Sequence, residues 1–312
     1  MRLLTFVAEG YSRVGLEVDG SVVDLAAAYE AVPTRERAGP ALLPADMLTF
    51  LWGGDLAMAA AKQVEELARK AHAAGRTLVG AAGQRSEYPA SAVRIAAPIA
   101  RPGKIICLGL NYADHAAESG HEPPKTPVLF AKYANSIVGP GDPIVLPRAS
   151  SQVDYEVEFA FVIGKVARNV PLESAYDCVA GYTMLNDVSA RDLQMETSQW
   201  FRGKSPDTFA PTGPYVVTKD EVADPHALDV RLWLNGELMQ KSNTRNLIFD
   251  VPSLVHHISK TITLEPGDIV STGTPGGVGA ARKPPVYLKP GDVVRLEIGN
   301  LGVLENPVRA EE

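Results

Sequence analysis

Cysteine is scarce: 312 residues hold two, Cys107 in "KIICLGL" and Cys178 in "AYDCVAGY". Both sit among apolar neighbours, where a free thiol behaves as a small core residue. Neither a disulfide framework nor a zinc cluster is indicated. Clustered positive charge is lacking as well. The formal net charge is −7, the isoelectric point about 5.5, and no Lys/Arg-rich run occurs, so a nucleic acid or an anionic membrane would find no electrostatic footprint. Apolar runs stay well short of the about 18 residues that mark a membrane span. The opening "MRLLTFVAEG" has too short an apolar stretch for a signal peptide, and a cytoplasmic location is expected. Low-complexity tracts and fixed-period repeats are also missing. What remains is an ordinary globular composition, 46% hydrophobic and 21% charged, long enough for about two domains, with a small molecule as the expected partner.

Local signals divide the chain. "RLLTFVAEGYSRVGLEVDGSVVDL" reads as three short strands, with Asp19-Gly20 as a hairpin turn. "LAMAAAKQVEELARKAHA", from Leu56 to Ala73, is rich in strong helix formers and places Val64, Leu67 and Ala71 on one stripe. Three prolines in "YPASAVRIAAPIARPGKI" suggest a boundary near residue 97. Beyond it the formula Pro-Gly-Asp recurs at 140–142, 266–268 and 290–292, each followed by an apolar run, as expected of type II turns feeding strands. Asn235-Gly236 adds a hairpin. "PLESAYDCVA" reads as a helix opened by Pro171 and stopped at Gly181, and "ARDLQMETSQW" as a polar helix or turn. The second part is therefore mostly strand.

"VDYEVEFAF", residues 153–161, carries two carboxylates where a buried strand is expected. Val153, Tyr155, Val157, Phe159 and Phe161 alternate with Asp154, Glu156, Glu158 and Ala160, so both Glu side chains face one side. Two residues along a strand span about 6.5 Å, too far to share a proton yet suited to gripping one cation at about 2 Å from each oxygen. Alternation alone also fits a solvent-facing strand side. The continuation "FAFVIG" turns the polar side apolar at Ala160 and Val162, which puts the acids at the mouth of a core and in need of a partner. "YTMLNDVSARD" supplies a third acid, Asp187, at the end of another strand. Oxygen donors without a nearby cysteine favour a hard cation, Mg²⁺ or Mn²⁺.

"KIICLGLNYADHAAESG" (104–120), "DYEVEFAFVIG" (154–164), "LNDVSARDLQ" (185–194), "RGKSPDTFAPTGP" (202–214) and "STGTPGGVG" (271–279) together resemble the fumarylacetoacetate hydrolase family, in its order of motifs, over residues 100–307. The resemblance implies an α+β, β-rich fold: a mixed β-sandwich or β-roll C-terminal domain, 98–312, beside a small α/β N-terminal domain, 1–97, similar to that of many bacterial members. It implies that Glu156, Glu158 and Asp187 bind the divalent cation, Mg²⁺ or Mn²⁺ with Ca²⁺ an alternative. His115 and Glu118 match a water-activating pair and Lys204 a lysine near the substrate. Arg191, Gln194 and Thr274 match substrate contacts, with Tyr112 and Lys132 placed there by proximity to the motifs. A homodimer is also implied.

The implied chemistry is hydrolysis of a carbon–carbon bond in a 2,4-dioxo acid of the acylpyruvate or fumarylpyruvate kind. The cation polarises the 2-oxo acid, His115 draws a proton from water, Lys204 meets the oxyanion, and pyruvate and an organic acid leave. The same site in the family also supports decarboxylation of oxaloacetate and isomerisation of 2-hydroxymuconate-type dioates, so the motifs leave these open. "TPGGVG" lacks the Lys-Ser/Thr of a phosphate loop, which argues against nucleotide binding. His256-His257, in an apolar helix-like stretch, is expected to be structural.

Overall fold

The turn residues act as their chemistry demands. Gly141, Gly267 and Gly291 have φ of +78°, +88° and +94°, the left-handed conformation that the third position of a type II turn requires, and each leads within a few residues into a strand: Ile144–Leu146, Ile269–Ser271 and Val293–Ile298. Asp19-Gly20 and Asn235-Gly236 both have positive φ at both central residues, which matches the twist of the hairpins they close. The computed structural model describes residues 1–40, 42–113 and 124–312.

Among the described residues the central feature is a 12-stranded mixed sheet. Its middle runs Arg2–Ala8, Ala210–Thr218, Val179–Asn186, Val157–Ile163, Ile269–Ser271, Ile105–Gly109 and Val128–Lys132. Most neighbours are antiparallel, but Ile269–Ser271 and Ile105–Gly109 run parallel. The three N-terminal strands join this sheet directly, since Arg2 pairs with Val217 and Leu3 with Val216. A 5-stranded sheet, in the order Glu237–Asn243, Asp229–Leu234, Val293–Ile298, Val303–Ala310 and Ile144–Leu146, packs on one face. This is the strand-rich α+β arrangement expected from the motifs.

The strand Val157–Ile163 is buried on both faces, and its period-two alternation sorts side chains between two cores. Val157, Phe159, Phe161 and Ile163 meet Leu232, Leu296 and Ile298 of the smaller sheet. Ala160 and Val162 face the other way, into a core built with Phe50, Leu51, Ala57 and Val64 of the N-terminal helices. Glu156 and Glu158 continue the Ala160–Val162 side, where the layer gives out. The long helix spans Gly54–Ala73. Its buried stripe is Ala57, Ala60, Ala61, Val64 and Ala68, rotated from the expected one, with Leu67 and Ala71 only half-buried. Alanines let the helix backbone lie close to the sheet, and the larger Leu67 flanks that contact. The expected helix after Pro171 is a 3₁₀ segment, Leu172–Cys178. Val179 then starts a strand, because its pairing with Ile163 outweighs local helix propensity.

Candidate active site

The acids of the 153–161 run sit at a break in the ladder. Val153–Asp154 forms a short strand, paired with Ser189–Ala190, and the main strand resumes at Val157. Two backbone N–H groups at the break are satisfied by side chains: Glu156 N donates to Asn186 Oδ1 at 2.9 Å and Val157 N to Gln240 Oε1 at 3.0 Å. The break thereby costs no buried orphan donor and leaves the Glu156 side chain free to turn toward Asp187, whose N–H donates to Glu156 O at 2.9 Å.

Glu156, Glu158 and Asp187 converge. One carboxylate oxygen from each lies within 4.8 Å of the others, and all three side chains are buried. Lys204, from the short helix Phe201–Lys204, bridges two of them, its Nζ 2.7 Å from Glu156 Oε2 and 2.7 Å from Asp187 Oδ2. Arg191 Nη2 reaches Glu156 Oε1 at 2.6 Å. Glu158 has a different set: it accepts from Ser271 Oγ at 2.6 Å and Gly273 N at 3.1 Å. Gly273 has φ +91° and a Cβ there would stand 3.1 Å from Leu108 O, so this donor is placed by a turn that only glycine fits.

These contacts separate the acids electrostatically. Burial opposes charge on Glu156, but Arg191 and Lys204 outweigh it and hold the carboxyl well below its usual range. Burial, joined by the charges of Asp187 and Glu156, pushes Glu158 well above the usual range. Burial likewise opposes the Lys204 charge, and Asp187 and Glu156 overcome it, so its ammonium is strengthened. Negative charge is thus undercompensated at Glu158. Three hard oxygen donors in that state fit a divalent cation, which would supply the missing positive charge.

A cavity of about 280 Å³ opens beside the acids. Glu156, Glu158, Arg191, Gln194, Lys204 and Thr274 supply its polar lining, and Phe130, Met195 and Trp200 its apolar lining. The hydroxyl of Thr274 donates to Val157 O at 3.0 Å and accepts from Gln240 Nε2 at 2.9 Å, so its proton is committed to the scaffold. Lys132 and Tyr112 are not among the residues that line this cavity. Lys132 is buried behind Asp187, donating to its Oδ1 at 2.6 Å and to Val188 O at 3.1 Å, and burial lowers its pKa although Asp187 pulls the other way. Tyr112 is buried in a bridge to Leu247. His115 and Glu118 lie outside the described residues. A larger groove of about 450 Å³ runs beside the long helix, but Lys62 and Lys165 there are already paired with Glu65 and Asp55.

The order of motifs, the two-sheet fold and the acid triad meet in one further finding: residues 104–309 match the family model for the fumarylacetoacetate (FAA) hydrolase C-terminal domain. The chain belongs to the fumarylacetoacetate hydrolase family. It is 45% identical to the mitochondrial oxaloacetate tautomerase fahd2 of Xenopus laevis, over 99% of this chain and 90% of that protein. Among solved structures it is similar to the fumarylacetoacetate hydrolase of Exiguobacterium antarcticum, at 37% identity and a TM-score of 0.78, and to the maleylpyruvate hydrolase of Sphingobium sp. SYK-6, at 31% and 0.75, each covering 100% of both chains. These relatives are enzymes of one family with differing reactions.

One expectation is overturned by these relatives. The Xenopus protein is named mitochondrial, and so are its counterparts in Rattus norvegicus and Bos taurus, so the cytoplasmic location does not stand. Its basis was the opening segment, and Arg2–Ala8 is a strand of the central sheet, which serves the fold and carries no information on compartment. Sequence reasoning also passed over Asp154, which anchors Arg191 through Nε at 2.9 Å and Nη2 at 2.8 Å. Its place on the even-numbered side, with Glu156 and Glu158, was the available signal. Gln240 gave none, since it meets the site from a distant part of the chain, and Phe130 and Trp200, although near Lys132 and Lys204 in sequence, are apolar residues that no motif singled out.

Proposed function

We propose that this protein interconverts the keto and enol forms of oxaloacetate, a 2-oxo dicarboxylic acid, at a site where Glu156, Glu158 and Asp187 hold Mg²⁺ or Mn²⁺. The observation that carries the proposal is the convergence of three buried carboxylates, one of them without a cationic partner among the described residues, beside a strongly basic Lys204 on the cavity wall. Near-full-length similarity to an oxaloacetate tautomerase supports the choice of reaction.

Tautomerisation moves one proton from C3 of the 2-oxo acid to the ketone oxygen, with negative charge gathering on that oxygen on the way. A divalent cation bound by the triad supplies Lewis-acid polarisation of the ketone. The chain's own residues set the charge and hydrogen bonding around the substrate. Lys204 keeps its ammonium at neutral pH and presents it beside the acids, where it meets the developing oxyanion in a site with little water. Arg191, fixed by Asp154 and Glu156, sets positive charge at the cavity edge for a carboxylate, and engages Gln194 Oε1 at 3.0 Å, leaving the Gln194 amide NH₂ as the donor for substrate oxygen. Phe130 and Trp200 add apolar surface to the cavity beside Lys204, which limits the access of water to it.

The test is to add enol oxaloacetate and follow the loss of its ultraviolet absorbance, with Mg²⁺ or Mn²⁺ and with EDTA, while carbon dioxide and pyruvate are measured in parallel. Cation-dependent loss of enol, without matching carbon dioxide, is expected. Enol loss at the buffer rate, with pyruvate and an organic acid released from acylpyruvates, would replace this function by carbon–carbon hydrolysis.

A further inference from the structure

Lys204 has a third contact besides its two carboxylates. Its Nζ lies 4.9 Å from the centroid of the Phe130 ring, and Phe130 is held edge-on by Trp200, with centroids 5.4 Å apart and planes at 69°. Trp200 and Lys204 are one helical turn apart, Lys204 N donating to Trp200 O at 3.0 Å, so one short segment supplies both the lysine and the ring that backs its aromatic neighbour. Trp200 in turn stands against Gly109, where a Cβ would come within 3.0 Å of its ring. Phe130 and Gly109 come from adjacent paired strands. Four residues from three segments are therefore stacked in the order Gly109, Trp200, Phe130, Lys204.

A cation shared by Glu156 and Asp187 would compete for the oxygens that Lys204 uses. An aromatic face offers an ammonium attraction without competing for those oxygens, and the attraction is strongest where water is excluded, as at Lys204 with 3% exposure. We propose that Phe130, backed by Trp200, is a positioning residue for Lys204: it keeps the ammonium on the cavity wall when the carboxylates are engaged by a divalent cation. The proposal rests on the cation site and reaction proposed above, and assigns the apolar wall a part in holding the lysine as well as in excluding water.

Two readouts test it. The first needs no turnover: the ε-methylene NMR signal of Lys204, assigned by its loss in Lys204→Met, should show an upfield ring-current shift with EDTA and with Mg²⁺, lost in Phe130→Leu and kept in Phe130→Tyr. The second is kinetic. Phe130→Leu should lower kcat by about fivefold to thirtyfold with KM little changed, the range expected from a desolvated cation–π contact, while Phe130→Tyr, which keeps a ring, retains most of the rate. In a Lys204→Met background Phe130→Leu should cost nothing further, because its effect passes through the lysine. A signal that moves off the ring when Mg²⁺ is added overturns the proposal, as do losses that multiply in the double variant or a rise in KM alone. If oxaloacetate is not a substrate, the kinetic arm reports the failure of the proposed reaction and the NMR arm still decides the placement of Lys204.

Discussion

Asp154 and Glu158 lie four residues apart on the same side of one run, and both are buried, at 0% and 1% exposure. Their surroundings differ completely. Asp154 accepts from Gly279 N at 2.7 Å and Ala280 N at 3.0 Å and is paired with Arg191. Glu158 accepts from a hydroxyl and one backbone N–H, and its nearest charged groups include two other carboxylates. Burial alone therefore does not distinguish a structural acid from a ligand. What distinguishes them is whether the protein itself completes the compensation: at Asp154 it does, and at Glu158 it leaves a deficit that the proposed cation would fill.

Substitution of each acid should separate the two roles. The largest expected effect is on stability, at Asp154: Asp154→Asn removes the charge that faces Arg191 in the interior and should cost about 3 to 5 kcal/mol, read as a lower denaturant midpoint, while the variant still gains melting temperature when Mg²⁺ or Mn²⁺ is added. Glu158→Gln should do the reverse. Divalent-cation affinity, measured by calorimetry, should fall by about a hundredfold, in keeping with loss of a ligand charge, with no loss of melting temperature in EDTA because like-charge repulsion is relieved. If the first variant loses its response to cation and the second keeps it, the comparison collapses.

The native protein should show the deficit directly. Cation at ten times its Kd should add about 1.4 kcal/mol to stability, and EDTA should remove the gain; an unchanged melting temperature would mean that the triad is satisfied as it stands. The smallest effect is expected far from the site, where compensation is complete. His72 places Nδ1 3.0 Å from Asp19 Oδ2 and Nε2 2.9 Å from Glu87 Oε1. Burial lowers its pKa, but the two carboxylates outweigh burial and the net shift is upward. A raised folded-state value means the stabilisation is full below the unfolded value of about 6.5 and is lost as pH rises through the folded one. The difference in melting temperature between the native protein and His72→Gln should therefore be largest near about pH 6 and shrink toward about pH 9.

The parts of this contrast that were legible in the sequence are the local ones. Period-two alternation and the switch to Ala160 and Val162 placed Glu156 and Glu158 at the edge of a core, and "LND" placed Asp187 at a strand end. Turn chemistry located the strands that follow Gly141, Gly267 and Gly291. What distinguishes Asp154 from Glu158 was not legible, because their partners lie far along the chain: Gly279 and Ala280 for one, Ser271 and Gly273 for the other. The rotation of the Gly54–Ala73 helix was hidden for a similar reason. Its orientation follows from close contact of alanines with the sheet and from Lys62 and Arg69 satisfying the buried Glu65, which no helical stripe of apolar residues reports. Lys132 stands near the motifs in sequence, while in the fold its ammonium is buried against Asp187 and outside the cavity lining, a placement that proximity along the chain does not report.

The sheet that carries the acids is joined across its middle by residues far apart in the chain: Thr218 Oγ1 donates to Met1 O at 3.2 Å across 217 positions. During synthesis the first hairpin leaves the ribosome long before its flanking strands exist: Thr5, Phe6 and Val7 pair with Arg94–Ala96, and the part of that edge at Arg2 and Leu3 stays open until Ala210–Thr218 emerges. Contacts of such long range close slowly and leave unpaired strand edges exposed meanwhile. The layer that carries the acids is thus a late product of the whole chain, and loss of the first ninety or so residues would leave the edge of Ala210–Thr218 at Val216 and Val217 unpaired.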